Sequence, residues 1–217
     1  MNNIPVVTKY LLLTNIVVFL LQEVAKQWGV DLVALFGLHF FLADNFQLHQ
    51  LFTYMFLHAN LSHIFFNMFA LWMFGRLIES TLGARHYLIY YIVCGVGAAL
   101  FQMGIAQIDL AGCAIGSTEW IMYMKTPTVG ASGAIFGLLL AFGLLHPNAM
   151  ISLIFPPITL KAKWFVIIYG VLELLLGVSG TMSGVAHFAH IGGMFWGWLL
   201  LLLWRHQARK NNNYYQY

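Results

Sequence analysis

Charged residues are scarce in this chain of 217 residues. Lys and Arg number 10, Asp and Glu number 7, and together they make up 8% of the sequence, against about 25% in a soluble globular domain. Hydrophobic residues make up 61%. Such a chain cannot cover a water-facing surface of its own size, which excludes a soluble enzyme, a nucleic-acid-binding protein and a disordered protein. The composition predicts a multi-pass membrane protein whose surface is covered largely by lipid.

Cysteine is almost absent, and the net charge is small. Cys94 and Cys113 are too few for a disulfide framework, so we expect free thiols. The formal net charge of +3 is too small to indicate an anionic partner, and neither nucleic acid nor nucleotide is predicted as one.

Six apolar segments are each roughly long enough to cross a hydrocarbon core about 30 Å thick. They cover residues 10–28, 61–78, 86–107, 128–145, 164–178 and 184–204. Backbone polar groups inside lipid must form hydrogen bonds within their own segment, so these segments should be helices. The sequence therefore predicts an all-α membrane protein with a bundle of six transmembrane helices.

An even number of spans puts both termini on one side, and basic residues mark the cytoplasmic side. With the N-terminus inside, only Lys26 and Lys125 lie outside. The inner basic residues are then Lys9, Arg76, Arg85, Lys161, Lys163, Arg205, Arg209 and Lys210. Both termini are therefore predicted to be cytoplasmic.

The segments between the spans suggest one domain, covering residues 1–217. Residues 29–59, the first outer segment, are apolar and aromatic, unlike a loop exposed to water. We expect this segment to lie at the membrane interface as short helices packed on the bundle. Residues 205–217 are predicted to form a polar cytoplasmic tail.

Polar residues within three of the spans are costly to place in lipid and therefore informative. Each group lies in the first two turns of its span: His63 and Asn67 in the second, Gly130 and Ser132 in the fourth, His187 and His190 in the sixth. Because these three spans run in the same direction, their first turns share one side of the membrane. The pattern predicts a single site near the outer surface.

The residue types at this site suit nucleophilic catalysis. The hydroxyl of Ser132 needs a base within hydrogen-bond reach, and His190 is the candidate. Free backbone N–H groups at the start of a helix, together with His63 and Asn67, would stabilise an oxyanion. No acidic residue stands beside either motif, and a buried Asp would be costly. We therefore predict a Ser–His dyad.

Either histidine of the sixth span could be the base, because His187 and His190 lie on one helix face. His190 is favoured, since Gly193 and Gly197 follow it at the spacing of a close helix contact. Gly133 and Gly137 have the same spacing on the fourth span, so these glycines are predicted to bring the two helices together. His187 is expected to be an interfacial side chain. Glu173, inside the fifth span, has no assigned role.

The three motifs together resemble the signature of the rhomboid intramembrane serine proteases, in their order and on helices two, four and six. The motif residues are His63-x3-Asn67, Gly130-x-Ser132-Gly133 and Ala189-His190-x-Gly192-Gly193. The resemblance implies a six-helix rhomboid fold and peptide-bond hydrolysis in or near transmembrane segments, with Ser132 as nucleophile and His190 as base. His63, Asn67 and the Ser132 backbone N–H become oxyanion donors, and Gly130 permits close backbone approach.

The resemblance also implies no metal or other cofactor, a single-span membrane protein as substrate, and a place in the lipid bilayer, most simply the bacterial inner membrane. Two positions depart from the family pattern. His49-Gln50 stands where many relatives have Trp-Arg, and Phe136 replaces a tyrosine that packs on the catalytic histidine.

Two alternative functions remain open. A metal or haem protein could use His58, His63, His187 and His190, because neutral imidazoles bind zinc well. Against this, no His-Glu-x-x-His motif or ligand carboxylate accompanies them, and the Gly130-x-Ser132-Gly133 motif is left unexplained. A non-catalytic relative that binds transmembrane helices would typically lack the serine or the histidine, and this chain keeps both.

Overall fold

The computed structural model describes residues 4–153, 157–179 and 186–210. Its helices are α1 Val6–Gln27, α2 Leu32–Phe36, α3 Gln50–Thr53, α4 Leu61–Ala70, α5 Arg76–Leu82, α6 Ala84–Leu110, α7 Thr118–Lys125, α8 Ser132–Leu145, α9 Ala162–Ser179 and α10 His187–Lys210. Two short strands, β1 Met150–Ser152 and β2 Thr159–Lys161, pair antiparallel between α8 and α9.

The described residues contain five helices that are long and apolar enough to cross a membrane. They are Val6–Gln27, Leu61–Leu82, Ala84–Leu110, Ala162–Ser179 and His187–Lys210. The second of them is α4 and α5 joined by one π-helical turn, Leu71–Gly75. Asn60 caps this helix by accepting a hydrogen bond from the His63 backbone N–H. The protein is thus a mostly helical, multi-pass membrane protein.

The predicted fourth span is shorter than expected. Helix α8 has 14 residues, about 21 Å at 1.5 Å per residue, and most of them are buried against α6, α9 and α10. It begins at Ser132 rather than at Thr128, because the preceding residues are held extended. Thr128 exchanges two 2.9 Å backbone hydrogen bonds with Leu38, and the Gly130 N–H donates to the Tyr54 carbonyl.

The first outer segment contains the expected short helices, α2 and α3, followed by a 3-10 turn, Tyr54–Phe56. Gln50, at one of the two positions that depart from the family pattern, ties this segment together. Its side-chain amide donates to the carbonyls of Leu35 and Asn45, and its oxygen accepts from the His39 N–H. Because Gln50 is only 1% exposed, its hydrogen bonds stabilise the first outer segment from the interior of that segment.

Helix α10 extends into the predicted polar tail. Helix α10 continues to Lys210, so residues 205–210 of the predicted tail are helical, because no helix-breaking residue interrupts the basic segment. Residues 211–217 and the predicted start of the sixth span at residue 184 lie outside the described residues. On the outer side, the polar segment between the third and fourth spans contains α7, which Ser117 caps.

Glu79 caps the first helix from the second span. Its carboxylate accepts hydrogen bonds from the backbone N–H groups of Val7 and Thr8 and from the Thr8 hydroxyl, at 2.7 to 2.9 Å. We expect Glu79→Gln to destabilise the protein by about 2 kcal/mol, because hydrogen bonds to a charged group are lost. This corresponds to a thermal midpoint lower by roughly 4–8 °C, measured in detergent. Glu23→Gln, at an exposed position of α1, should leave the midpoint unchanged.

Candidate active site

Ser132 and His190 meet where α8 and α10 begin. The distance from Ser132 Oγ to His190 Nε2 is 2.8 Å, a hydrogen bond. Ser132 is the first residue of its helix, so its backbone N–H belongs to the group that has no acceptor within the helix. The structure thus combines a hydroxyl, an imidazole and a helix N-terminus at one point.

Glycine allows the two helices to approach this closely. A Cβ atom on Gly193 would overlap the Gly133 carbonyl oxygen, and one on Gly137 would lie 3.2 Å from the Gly193 carbonyl oxygen. The contact predicted between these glycines is therefore present. Gly197 was expected to join it, but it packs against the Tyr90 hydroxyl of α6 instead, since α6 also lies against this part of α10.

Phe136, the second departure from the family pattern, packs on the His190 ring. The two rings are stacked, with centroids 4.2 Å apart and planes 5° from parallel. The phenylalanine therefore keeps the ring packing of the tyrosine that it replaces and lacks only the hydroxyl. Together with Ser132, it restricts the orientation of the imidazole.

His63 and Gly130 lie beside the Ser132 hydroxyl. Gly130 has a φ angle of +128°, and a Cβ there would be 2.8 Å from His63 Cε1 and Nε2. A larger residue would therefore be strained and would displace the His63 ring. Asn67 is buried one turn further along α4, on the same face as His63. Among the described residues, no hydrogen bond joins the Asn67 side chain to Ser132 or His190.

A carboxylate lies next to the Ser–His pair, so the expectation that none does is wrong. Glu173 Oε2 is 2.9 Å from His190 Nδ1 and 2.7 Å from His187 Nδ1. His187 is 6% exposed, so it is a buried partner of Glu173 rather than an interfacial side chain. Sequence reasoning missed this contact because helix rotation decides which residues of α9 face α10. The sequence did offer one sign of this contact, because an acidic residue inside an apolar span usually belongs to a functional site.

The histidines do not form the four-residue metal site considered above. Among the described residues, the set with ligand atoms close enough for a metal ion is Glu173, His187 and His190, within 4.8 Å of one another. His58 lies apart from it: it packs edge-on against His63, and its backbone exchanges hydrogen bonds with the Gln22 side chain. Burial lowers the pKa of His58 to about 4, so its ring is neutral at pH 7.

Comparison with known proteins identifies relatives along most of the chain. The family profile described as the rhomboid domain matches residues 45–207. Rhomboid protease AarA of Providencia stuartii is 32% identical over 148 residues, which cover 67% of this chain and 52% of that protein. Rhomboid protein 1, mitochondrial, of Saccharomyces cerevisiae is 28% identical over 152 residues, covering 67% and 40%. Rhomboid protease GluP of Bacillus subtilis is 29% identical over 150 residues, covering 68% and 24%.

The matched region spans between 24% and 52% of the lengths of these three relatives. Residues 45–207 contain all of the site residues described above: Ser132, His190, His63, Asn67, Gly130 and Glu173. The profile therefore covers about three quarters of the chain and the whole candidate active site. This chain belongs to the rhomboid family.

Proposed function

We propose that this protein is an intramembrane serine endopeptidase, with Ser132 as nucleophile and His190 as general base. The observation that carries the proposal is the 2.8 Å hydrogen bond between Ser132 Oγ and His190 Nε2. Two of the relatives, AarA and GluP, are named as rhomboid proteases, which supports the same reaction class.

The reaction follows from this geometry. Ser132 Oγ attacks the carbonyl carbon of the scissile peptide bond, its proton passes to His190 Nε2, and the carbonyl electron pair moves onto the oxygen. When the tetrahedral intermediate collapses, the C–N bond breaks and His190 returns the proton to the leaving amine. A water molecule, which His190 deprotonates, then attacks the carbonyl carbon of the acyl-enzyme. The ester C–O bond to Ser132 breaks, Ser132 takes the proton back from His190, and the second product leaves.

His63, Asn67 and the Ser132 backbone N–H are proposed to stabilise the oxyanion. The His63 Nδ1 atom accepts a long, 3.4 Å hydrogen bond from the Ala59 N–H. The proton of a neutral His63 ring is then on Nε2, the atom next to Gly130, where it is available as a donor. Gly130 keeps the space for this ring and for the substrate carbonyl.

The proposed substrate is a single-span membrane protein, and no cofactor is proposed. Six spans with both termini in the cytoplasm, a first outer segment at the interface and a cytoplasmic tail remain predictions from the distribution of charge and apolar length. This topology puts the catalytic pair near the outer surface, where water can reach it. A bacterial inner membrane is one proposed location, and the relatives also include mitochondrial and chloroplastic proteins.

Cleavage of a single-span substrate by detergent-solubilised protein should be as fast in EDTA as without it. A serine mechanism needs no metal, because His190 activates the nucleophile and backbone and side-chain N–H groups stabilise the oxyanion. The measurement is the initial rate before and after chelation and dialysis. Loss of cleavage on chelation that zinc restores would favour a metal-dependent enzyme using Glu173, His187 and His190.

A fluorophosphonate provides an independent test, since it forms a covalent bond only with an activated serine. The wild-type protein should be labelled on Ser132 and become inactive in proportion to the labelling. Cleavage that continues at full labelling would contradict the assignment of Ser132.

A further inference from the structure

Glu173 is an acidic residue in the part of α9, residues 164–178, that is otherwise apolar and largely exposed. Its neighbours Leu172, Leu174 and Leu175 are 46%, 49% and 59% exposed, whereas the Glu173 side chain is 13% exposed. A carboxylate inside a membrane span is costly unless it is paired. Among the described residues, both hydrogen-bond partners of Glu173 are histidines of α10.

The geometry restricts where the protons lie. One oxygen atom, Glu173 Oε2, is within hydrogen-bond distance of both His187 Nδ1 and His190 Nδ1. A protonated Oε2 could donate to only one of them, whereas an ionised carboxylate accepts from both. With an ionised Glu173, both contacts are hydrogen bonds when each Nδ1 atom carries a proton.

A proton on His190 Nδ1 leaves Nε2 of the neutral ring with a lone pair. That lone pair faces Ser132 Oγ at 2.8 Å, which is the tautomer that a general base needs. A histidine with its proton on Nε2 could not accept the serine proton. The carboxylate thus selects the reactive form of the ring from the side opposite the nucleophile.

We propose that Glu173 is a positioning residue for the catalytic base, completing a hydrogen-bonded chain Ser132–His190–Glu173; this rests on the proposed function. Glu173 orients His190, fixes its tautomer, and stabilises the imidazolium that forms when Nε2 takes the serine proton. The proton stays on the imidazole until it passes to the leaving amine, and Glu173 remains ionised throughout.

His187 has a supporting place in this arrangement. Its Nδ1–H donates to the same carboxylate oxygen and holds it towards His190. Phe136 packs on the His190 ring face, so the ring is held at Nδ1, at Nε2 and on one face.

The test is the kcat and the KM of Glu173→Gln, which keeps the size of the side chain and removes its charge. We expect kcat to fall by about 10²-fold, at the lower end of what general base catalysis contributes, with KM little changed. The loss should appear in kcat because the imidazolium that Glu173 stabilises forms only as Nε2 takes the serine proton in the transition state.

Two further variants separate positioning from packing. His187→Phe keeps a buried ring and the His190–Glu173 contact, so it should lower kcat less than Glu173→Gln does. Glu23→Gln, at an exposed position of α1, should match the wild type throughout. A wild-type kcat for Glu173→Gln, or a loss of kcat no larger than that of His187→Phe, would mean that Glu173 only links α9 and α10.

A measurement on the wild-type protein keeps the proposal testable if the Gln variant does not fold. ¹⁵N-histidine NMR at neutral pH, with the signal assigned by comparison with His190→Ala, should show His190 protonated on Nδ1. Protonation on Nε2 would overturn the proposal. Ser132→Ala in the same cleavage assay keeps the two proposals apart: if it abolishes cleavage, the serine mechanism stands whatever the Glu173 variants show.

Discussion

Ser132→Ala and His190→Ala should each abolish cleavage while the protein still folds. Removing the nucleophile or the base of a serine protease costs on the order of 10⁶-fold in kcat, because neither group can act without the other. The double variant should be no slower than either single variant, since residues that act as a unit are strongly non-additive. The measurement is the initial rate of cleavage of a single-span substrate in detergent.

Matched controls come from exposed positions elsewhere in the bundle. Ser80→Ala, on α5, removes an exposed hydroxyl that donates to the carbonyl one turn earlier, and His206→Ala removes an exposed imidazole from the other end of α10. Both should cleave at the wild-type rate. If His187→Ala abolishes cleavage and His190→Ala does not, the base has been assigned to the wrong histidine.

His63→Ala and Asn67→Ala should slow cleavage without abolishing it. Loss of one oxyanion donor typically costs about 10²–10³ in kcat, and here the Ser132 backbone N–H remains as a further donor. We expect the loss to appear in kcat more than in KM, because the charge on the oxygen develops only in the transition state.

The comparison with Asn148→Ala controls for the loss of an amide, since Asn148 is exposed just beyond the C-terminal end of α8. Unchanged rates in both His63→Ala and Asn67→Ala would remove these residues from the site. An effect of His63 alone would be consistent with its contact with Gly130 and would leave Asn67 as a packing residue.

Local sequence was sufficient for the class of protein and for most of the helices. Apolar length predicted membrane helices within a few residues of Val6–Gln27, Leu61–Leu82, Ala84–Leu110 and Ala162–Ser179, because a span depends on its own composition. The Gly133–Gly193 approach was also predictable, since small residues at helical spacing mark a close contact. The catalytic roles of Ser132 and His190 remain predictions. They are supported by the 2.8 Å distance between Ser132 Oγ and His190 Nε2.

Other features depended on residues far apart in the chain. Helix α8 starts at Ser132 because Leu38 and Tyr54 hold the preceding residues extended, and nothing near Ser132 in the sequence specifies those partners. Its length also escaped prediction, because a helix enclosed by other helices need not match the thickness of the lipid.

By itself, the sequence determined that this protein is a multi-pass helical membrane protein carrying the rhomboid motifs, because composition and helical spacing are local properties. Only the tertiary structure decided that Glu173 lies against His190 and His187, and that Gly197 packs on Tyr90. The physical reason is that helix rotation and crossing are set by packing over the whole bundle. A residue's spacing within its own helix does not determine which neighbouring helix it faces.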